Sequence, residues 1–190
     1  MSPLIPVVEA VPWIPHMARK WMERILQPDF KCFEWGSGGS TIWLGDRCES
    51  IVSVEHDSKW ALDIHRILPR GTYLLIPPEP PELGNDKANP NHYRAGPVSG
   101  VNFKAYATSI VGRGPFDLVM VDGRARASCI MHAVPEIRPG GWLVLDNAER
   151  DYYLEQTAEL LQGWESVRFY GHGPYIDWPW QCAFWRKPYE

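Results

Sequence analysis

The nine residues Phe33-Glu34-Trp35-Gly36-Ser37-Gly38-Gly39-Ser40-Thr41 decide how this chain folds. Apolar Cys32 and Phe33 lead in as a buried strand. Gly36, Gly38 and Gly39 then supply a turn that can take positive φ and lets a ligand touch bare backbone. Ser40 and Thr41 open a helix whose free N–H groups point into that turn. Glu34 stands two residues before the first glycine. Strand, glycine turn and helix start together make a cradle for a small polar ligand.

The rest of the composition fits one domain over residues 1–190, large enough for a full core. Hydrophobic content of 45% and charged content of 22% are ordinary for a globular protein, and the net charge of −4 argues against nucleic acid as the main partner. Cys32, Cys48, Cys129 and Cys182 form no CxxC pair, so a zinc or redox motif has no support, and reduced thiols in a cytoplasmic protein are expected. The N-terminus lacks a signal-peptide pattern, and no apolar run reaches the ~20 residues that span a bilayer, so no membrane partner is expected.

Outward from the turn, residues 1–28 read as a proline-rich extended arm to residue 13, then a helix with Ile14, Met17, Ala18, Trp21, Met22 and Ile25 at helical spacing. Strands are expected at 30–35, 50–55, 72–76, 116–121, 142–145, 165–170 and 182–186. Helices are expected through Leu44, from Asp57 or Ser58 to Leu68 (Trp60, Ala61, Ile64, Ile67 and Leu68 inward), over 102–111, 125–137 and 151–162. Residues 77–100, rich in proline and glycine, read as a substrate lid, and Pro139-Gly140-Gly141 as a tight turn. Alternating strands and helices imply a parallel sheet with its ligand beyond the carboxyl ends of the strands. The last two strands have no helix between them and should pair antiparallel at an edge. Glu34, Glu55, Asp122, Asp146 and Asn147 fall at the ligand end.

Three ligands compete for the turn. A phosphate loop needs a lysine, but Ser40, Thr41 and Ile42 follow Gly39. A dinucleotide turn needs a glycine where Thr41 stands. The remaining pattern, E-x-G-x-G-G with Glu55 closing the next strand, suits a nucleoside with a cationic amino-acid tail: Glu55 on the two ribose hydroxyls, Glu34 near the amino group.

Here the chain resembles the class I S-adenosylmethionine-dependent methyltransferases, and Val121-Asp122-Gly123-Arg124-Ala125-Arg126 looks like their small stand-alone bacterial members. Besides the opening stretch, Val52-Ser53-Val54-Glu55-His56-Asp57, Phe116-Asp117-Leu118-Val119-Met120-Val121-Asp122-Gly123 and Arg138-Pro139-Gly140-Gly141-Trp142-Leu143-Val144-Leu145-Asp146 carry the likeness, over residues 30 to 186. The resemblance implies an α/β, Rossmann-like seven-stranded sheet, mostly parallel with an antiparallel edge hairpin and helices on both faces. It implies S-adenosylmethionine held by Glu34, Trp35, Gly36, Ser37, Gly38, Ser40, Thr41, Glu55, His56 and Asp122, with methyl transfer to a small-molecule acceptor, most simply a hydroxyl.

Asp122 and Asp146 are the expected catalytic carboxylates; His92, Tyr93, Arg124 and Asn147 are expected near the acceptor. Asp122, Asp146 and Asn147 also match catechol-type O-methyltransferases, where such oxygens bind a magnesium-like ion; the alternative is that Asp146 and Asn147 cap the next helix. The catechol family's lysine is absent, and Arg124 and Arg126 stand there, as surface ion pairs or as a grip on an acidic acceptor. Tyr170, Tyr175, Trp178, Trp180 and Trp185 would roof an acceptor pocket, pack the core or join a homodimer. A cofactor-fold protein that binds without catalysis is the rival from another class.

Overall fold

A computed structural model describes residues 5–64, 66–68, 71–96 and 98–189. Residues 1–4 of the expected arm and Pro97 of the expected lid lie outside the described residues. Seven strands form one sheet: β1 (Lys31–Trp35), β2 (Ser50–Glu55), β3 (Thr72–Leu75), β4 (Phe116–Val121), β5 (Ile137–Asp146), β6 (Glu165–Gly171) and β7 (Trp180–Arg186). Their order is β3-β2-β1-β4-β5-β7-β6. Neighbours from β3 to β5 are parallel, while β7 runs antiparallel to both β5 and β6. The expected sheet and its antiparallel edge hairpin are therefore present.

Alternation along the strands sorts the core. From β1, Phe33 and Trp35 join the cluster under α5 (Lys104–Thr108) and α6 (Arg126–Glu136). Cys32 points to the opposite face, under α2 (His16–Ile25) and α3 (Gly39–Gly45), with Met22, Trp43 and Leu44. Both faces are covered, as a parallel sheet requires. Chain order reverses between β1 and β4, so the carboxyl ends of those strands part there and leave a crevice.

Five local expectations change. The arm contains a helical turn, α1 (Ile5–Val8), with Val7 buried. The helix after β2, α4 (Ser58–Ile64), stops before Ile67, which is exposed, and Met17 of α2 is exposed too. Pro139-Gly140-Gly141 lies inside β5, because Gly140 N–H donates to Lys187 O and Lys187 N–H to Gly141 O. Residues 151–162 form two separate 3-10 turns, Asp151–Tyr153 and Ala158–Leu161. The Thr157 hydroxyl donates to Tyr153 O at 2.7 Å, taking the carbonyl that an α-helical N–H would use. The intended face still turns inward: Tyr153, Thr157 and Leu161 are buried.

Candidate functional site

The crevice holds a cavity of about 500 Å³, lined by the glycine turn, Glu55, His56, Asp57, Trp60, Asp122, Arg124 and Arg126, with Trp13 at its edge. Two glycines make the approach of β1 and β4 possible. Gly36 has φ +96°, and a Cβ there would sit 3.1 Å from the Asp122 carbonyl. Asp122 N–H donates to Trp35 O, closing the seam. A Cβ on Gly123 would lie 1.9 Å from the Tyr106 hydroxyl.

Glu34 is not on this cavity. It is fully buried behind the turn, where the hydroxyls of Ser40, Thr41 and Ser53 donate to its carboxylate. Thr41 also accepts from Gly38 N–H at 2.8 Å. Glu34 and Thr41 are thus the internal brace of the turn, which corrects their expected contact with a ligand. Burial pushes the Glu34 carboxyl up to about 7, against the pull of the three hydroxyls. Trp35 is corrected likewise: its side chain is in the core, and its indole N–H donates to Tyr106 O at 2.9 Å.

Glu55 closes β2 and lines the cavity. Its Oε1 accepts from His56 N–H at 2.7 Å and Asp57 N–H at 2.8 Å, and among the described residues its Oε2 accepts only from Ser37 N–H at 3.3 Å. That oxygen therefore retains acceptor capacity toward the cavity. His56 Nδ1 stands 2.7 Å from Glu55 Oε1 but out of hydrogen-bond alignment. Asp57 caps α4 by accepting from the N–H groups of Lys59 and Trp60. Trp60 packs half-buried against the Ile42, Ile64 and Leu68 cluster, as expected, and also lines the cavity and donates its indole N–H to Ser37 O at 2.8 Å. Trp13 had no readable motif, since an aromatic in a proline-rich arm carries no period.

At the other wall, Arg126 ties the ends of β4 and β5. Its guanidinium donates to Asp122 Oδ1 and O at 3.0 Å, to Gly123 O at 3.0 Å and to Asp146 O, and it is buried. A buried clamp replaces the expected surface ion pair. Burial pushes Asp122 up to about 6, opposed by Arg126, while 23% of its side-chain surface stays open. Burial first, then the Asp122 charge, pushes Asp146 well above the carboxylate range. Asp146 Oδ1 accepts from Trp180 Nε1 at 2.8 Å, and Asp146 lines neither this cavity nor its neighbour. Asp146 therefore supports the site from behind, a correction to its expected catalytic place.

The metal alternative meets the same guanidinium. Arg126 lies 3.0 Å from Asp122 Oδ1 and 3.9 Å from Asp146 Oδ2, so a fixed monocation already holds the position between the two carboxylates. Asn147 adopts φ +51°, its carbonyl accepts from Arg150 N–H in a turn, and it lines neither this cavity nor its neighbour. This donor set does not fit a divalent ion. Among the described residues, no group of three or more His, Cys, Asp or Glu is arranged to hold one.

Residues 77–100 are largely exposed but anchored at several points, with Ala88, Pro90, Tyr93 and Ala95 buried. Glu79 and Asn102 exchange backbone hydrogen bonds at 2.9 and 2.7 Å, and Arg94 pairs with Glu82. Tyr93 stacks on His132 of α6, with its hydroxyl 3.2 Å from Nε2. His92 uses Nδ1 to accept from Asp86 N–H at 3.3 Å. Neither Tyr93 nor His92 lines either of the two cavities that meet at Gly123, whereas Arg124 lines both. Of the tail aromatics, Trp180 and Trp185 are core, and Tyr170 and Trp178 are exposed.

This arrangement can be set beside known structures. An O-methyltransferase from Bacillus cereus, solved in complex with SAH, superposes with a TM-score of 0.61 over 96% of this chain and 87% of its own, at 14% identity. This is the fold of the class I methyltransferases. An rRNA methylase from Streptococcus thermophilus matches at TM-score 0.56 and 15% identity, covering 91% of this chain and 95% of its own. The N-methyltransferase NodS from Bradyrhizobium japonicum matches at 0.55 and 16%, covering 90% and 95%. The methyltransferase fold is thus shared by proteins named for different acceptors. No protein-family model and no curated protein sequence matches the chain.

Proposed function

We propose that this protein is an S-adenosylmethionine-dependent methyltransferase acting on a hydroxyl of a small molecule, without a metal. The observation that carries the reading is the cavity at the β1–β4 crevice: a bare glycine turn on one side, the under-used Glu55 Oε2 on another, and Asp122 opposite. Glu55 would take the ribose hydroxyls, the backbone of Gly36 to Ser40 the polar tail, and Trp60 an apolar face. Bound there, S-adenosylmethionine would supply a sulfonium-activated methyl group to the acceptor oxygen.

The protein's own contribution is positioning and a base. Asp122 supplies the base. Raised to about 6, it is ionised at neutral pH yet near enough in proton affinity to take the hydroxyl proton. Arg126 keeps it from rising further and holds it at the junction. The net charge of −4 favours a small acceptor over the RNA named for the Streptococcus protein.

Crystals grown with SAH test the reading. Density for the ribose against Glu55, with the sulfur toward Asp122, is expected; density bound elsewhere, with this cavity free of it, rejects the assignment.

A further inference from the structure

A second cavity of about 500 Å³ adjoins the first and shares Gly123, Arg124 and Arg126 with it. Its lining carries Lys87, Arg94, Arg124, Arg126 and Arg150, and no acidic residue, in a chain of net charge −4. These cations come from four places: the 77–100 segment, the turn after β4, the first residue of α6, and the turn after β5. Convergence from separate elements is a property of the tertiary fold rather than of a basic run.

Partners distinguish them. Arg126 is paired with Asp122 at 3.0 Å, and Arg94 with Glu82. Arg150 lies 3.8 Å from Glu149 and donates to the Tyr153 hydroxyl at 3.1 Å. Lys87 Nζ stands 3.8 Å over the Tyr152 ring, and Arg124 Nε donates to His56 Nε2 at 3.1 Å. Among the described residues neither Lys87 nor Arg124 has a carboxylate partner. Uncompensated cations around a recess concentrate a positive potential inside it. Tyr152 and Tyr153, with ring centroids 4.4 Å apart, add an aromatic wall.

Resting on the methyltransferase reading above, we propose that this second cavity is the acceptor subsite and takes a small hydroxylated molecule bearing a carboxylate or phosphate group, held by Lys87, Arg124 and Arg150. The shared Gly123-Arg124 edge would present the acceptor's hydroxyl to Asp122, while the anionic group stays on the far wall. Carboxylates and phosphates both match guanidinium geometry, so their shared chemistry is what the cavity selects.

The test uses the full chain in calorimetry at neutral pH. SAH is titrated first; then 4-hydroxybenzoate, 4-hydroxyphenyl phosphate and neutral 4-hydroxybenzamide are titrated with and without SAH. At least one anion should bind at least ~10-fold tighter than the amide, consistent with a charge-assisted hydrogen bond, and the better anion identifies the group preferred. Lys87→Gln, at an exposed position, and Arg150→Gln should each weaken that anion several-fold while SAH affinity holds. Equal binding of the amide and both anions, no effect of either substitution, or no saturable anion binding below about 10 mM would each overturn the proposal. If SAH fails to bind while the anions do, the cofactor reading fails and the anion cavity stands. If SAH binds and the anions do not, the reverse holds.

Discussion

Glu34 and Asp122 carry the two raised carboxyls whose titration can be read directly. Glu34 lies at about 7 in the fold against 4.5 ordinarily, so the folded chain holds the proton more tightly than the unfolded one. Its contribution to stability is therefore complete below the ordinary value and is lost as pH rises through about 7, in total about 3 kcal/mol. Glu34→Gln should flatten the melting temperature between pH 5 and 8, without levelling it, because Asp122 titrates in the same direction near 6. Identical pH slopes in the two proteins would refute the buried-brace assignment. For Asp122 the prediction concerns rate. Turnover should rise with pH through an apparent value near 6, and Asp122→Asn should lower it by about 10²–10⁴-fold at neutral pH. A variant that keeps full turnover and the same acid limb would exclude Asp122 as the base. Removing the opposing cation with Arg126→Met should push that limb to higher pH.

Among the elements, what was legible depended on whether a local pattern owned the position. β2 and β4 matched their expected limits, because each is a short, mostly apolar run that meets an acid, Glu55 or Asp122, at its carboxyl end. The 151–162 segment carried a helical spacing that the fold buries, yet Thr157 diverts one carbonyl and breaks the hydrogen-bond ladder. Glu34 was legible as a special residue but not as a braced one, since Ser53, which completes its hydroxyl cage, arrives from β2. Arg126 was ambiguous for the same reason: only the fold brings Asp146 to it. Element packing also yields a prediction at Gly123. An added methyl would meet the Tyr106 hydroxyl at 1.9 Å, so Gly123→Ala should cost about 1–3 kcal/mol and lower the melting temperature by several degrees. An unchanged melting curve would mean that α5 does not press on this turn.

For the molecule as a whole, the sheet order places two cavities side by side with opposite demands. One offers glycine backbone and the carboxylates of Glu55 and Asp122; the other offers five cations and two tyrosines. The central claim is that the first binds S-adenosylmethionine, and calorimetry with S-adenosylmethionine and with NAD on the wild-type chain tests it most directly. One site for S-adenosylmethionine, no binding of NAD, and a loss in Glu55→Ala of ~1.5–3 kcal/mol for the charged hydrogen bonds to ribose are the results expected. No binding of S-adenosylmethionine, or an unaltered affinity in Glu55→Ala, would contradict it.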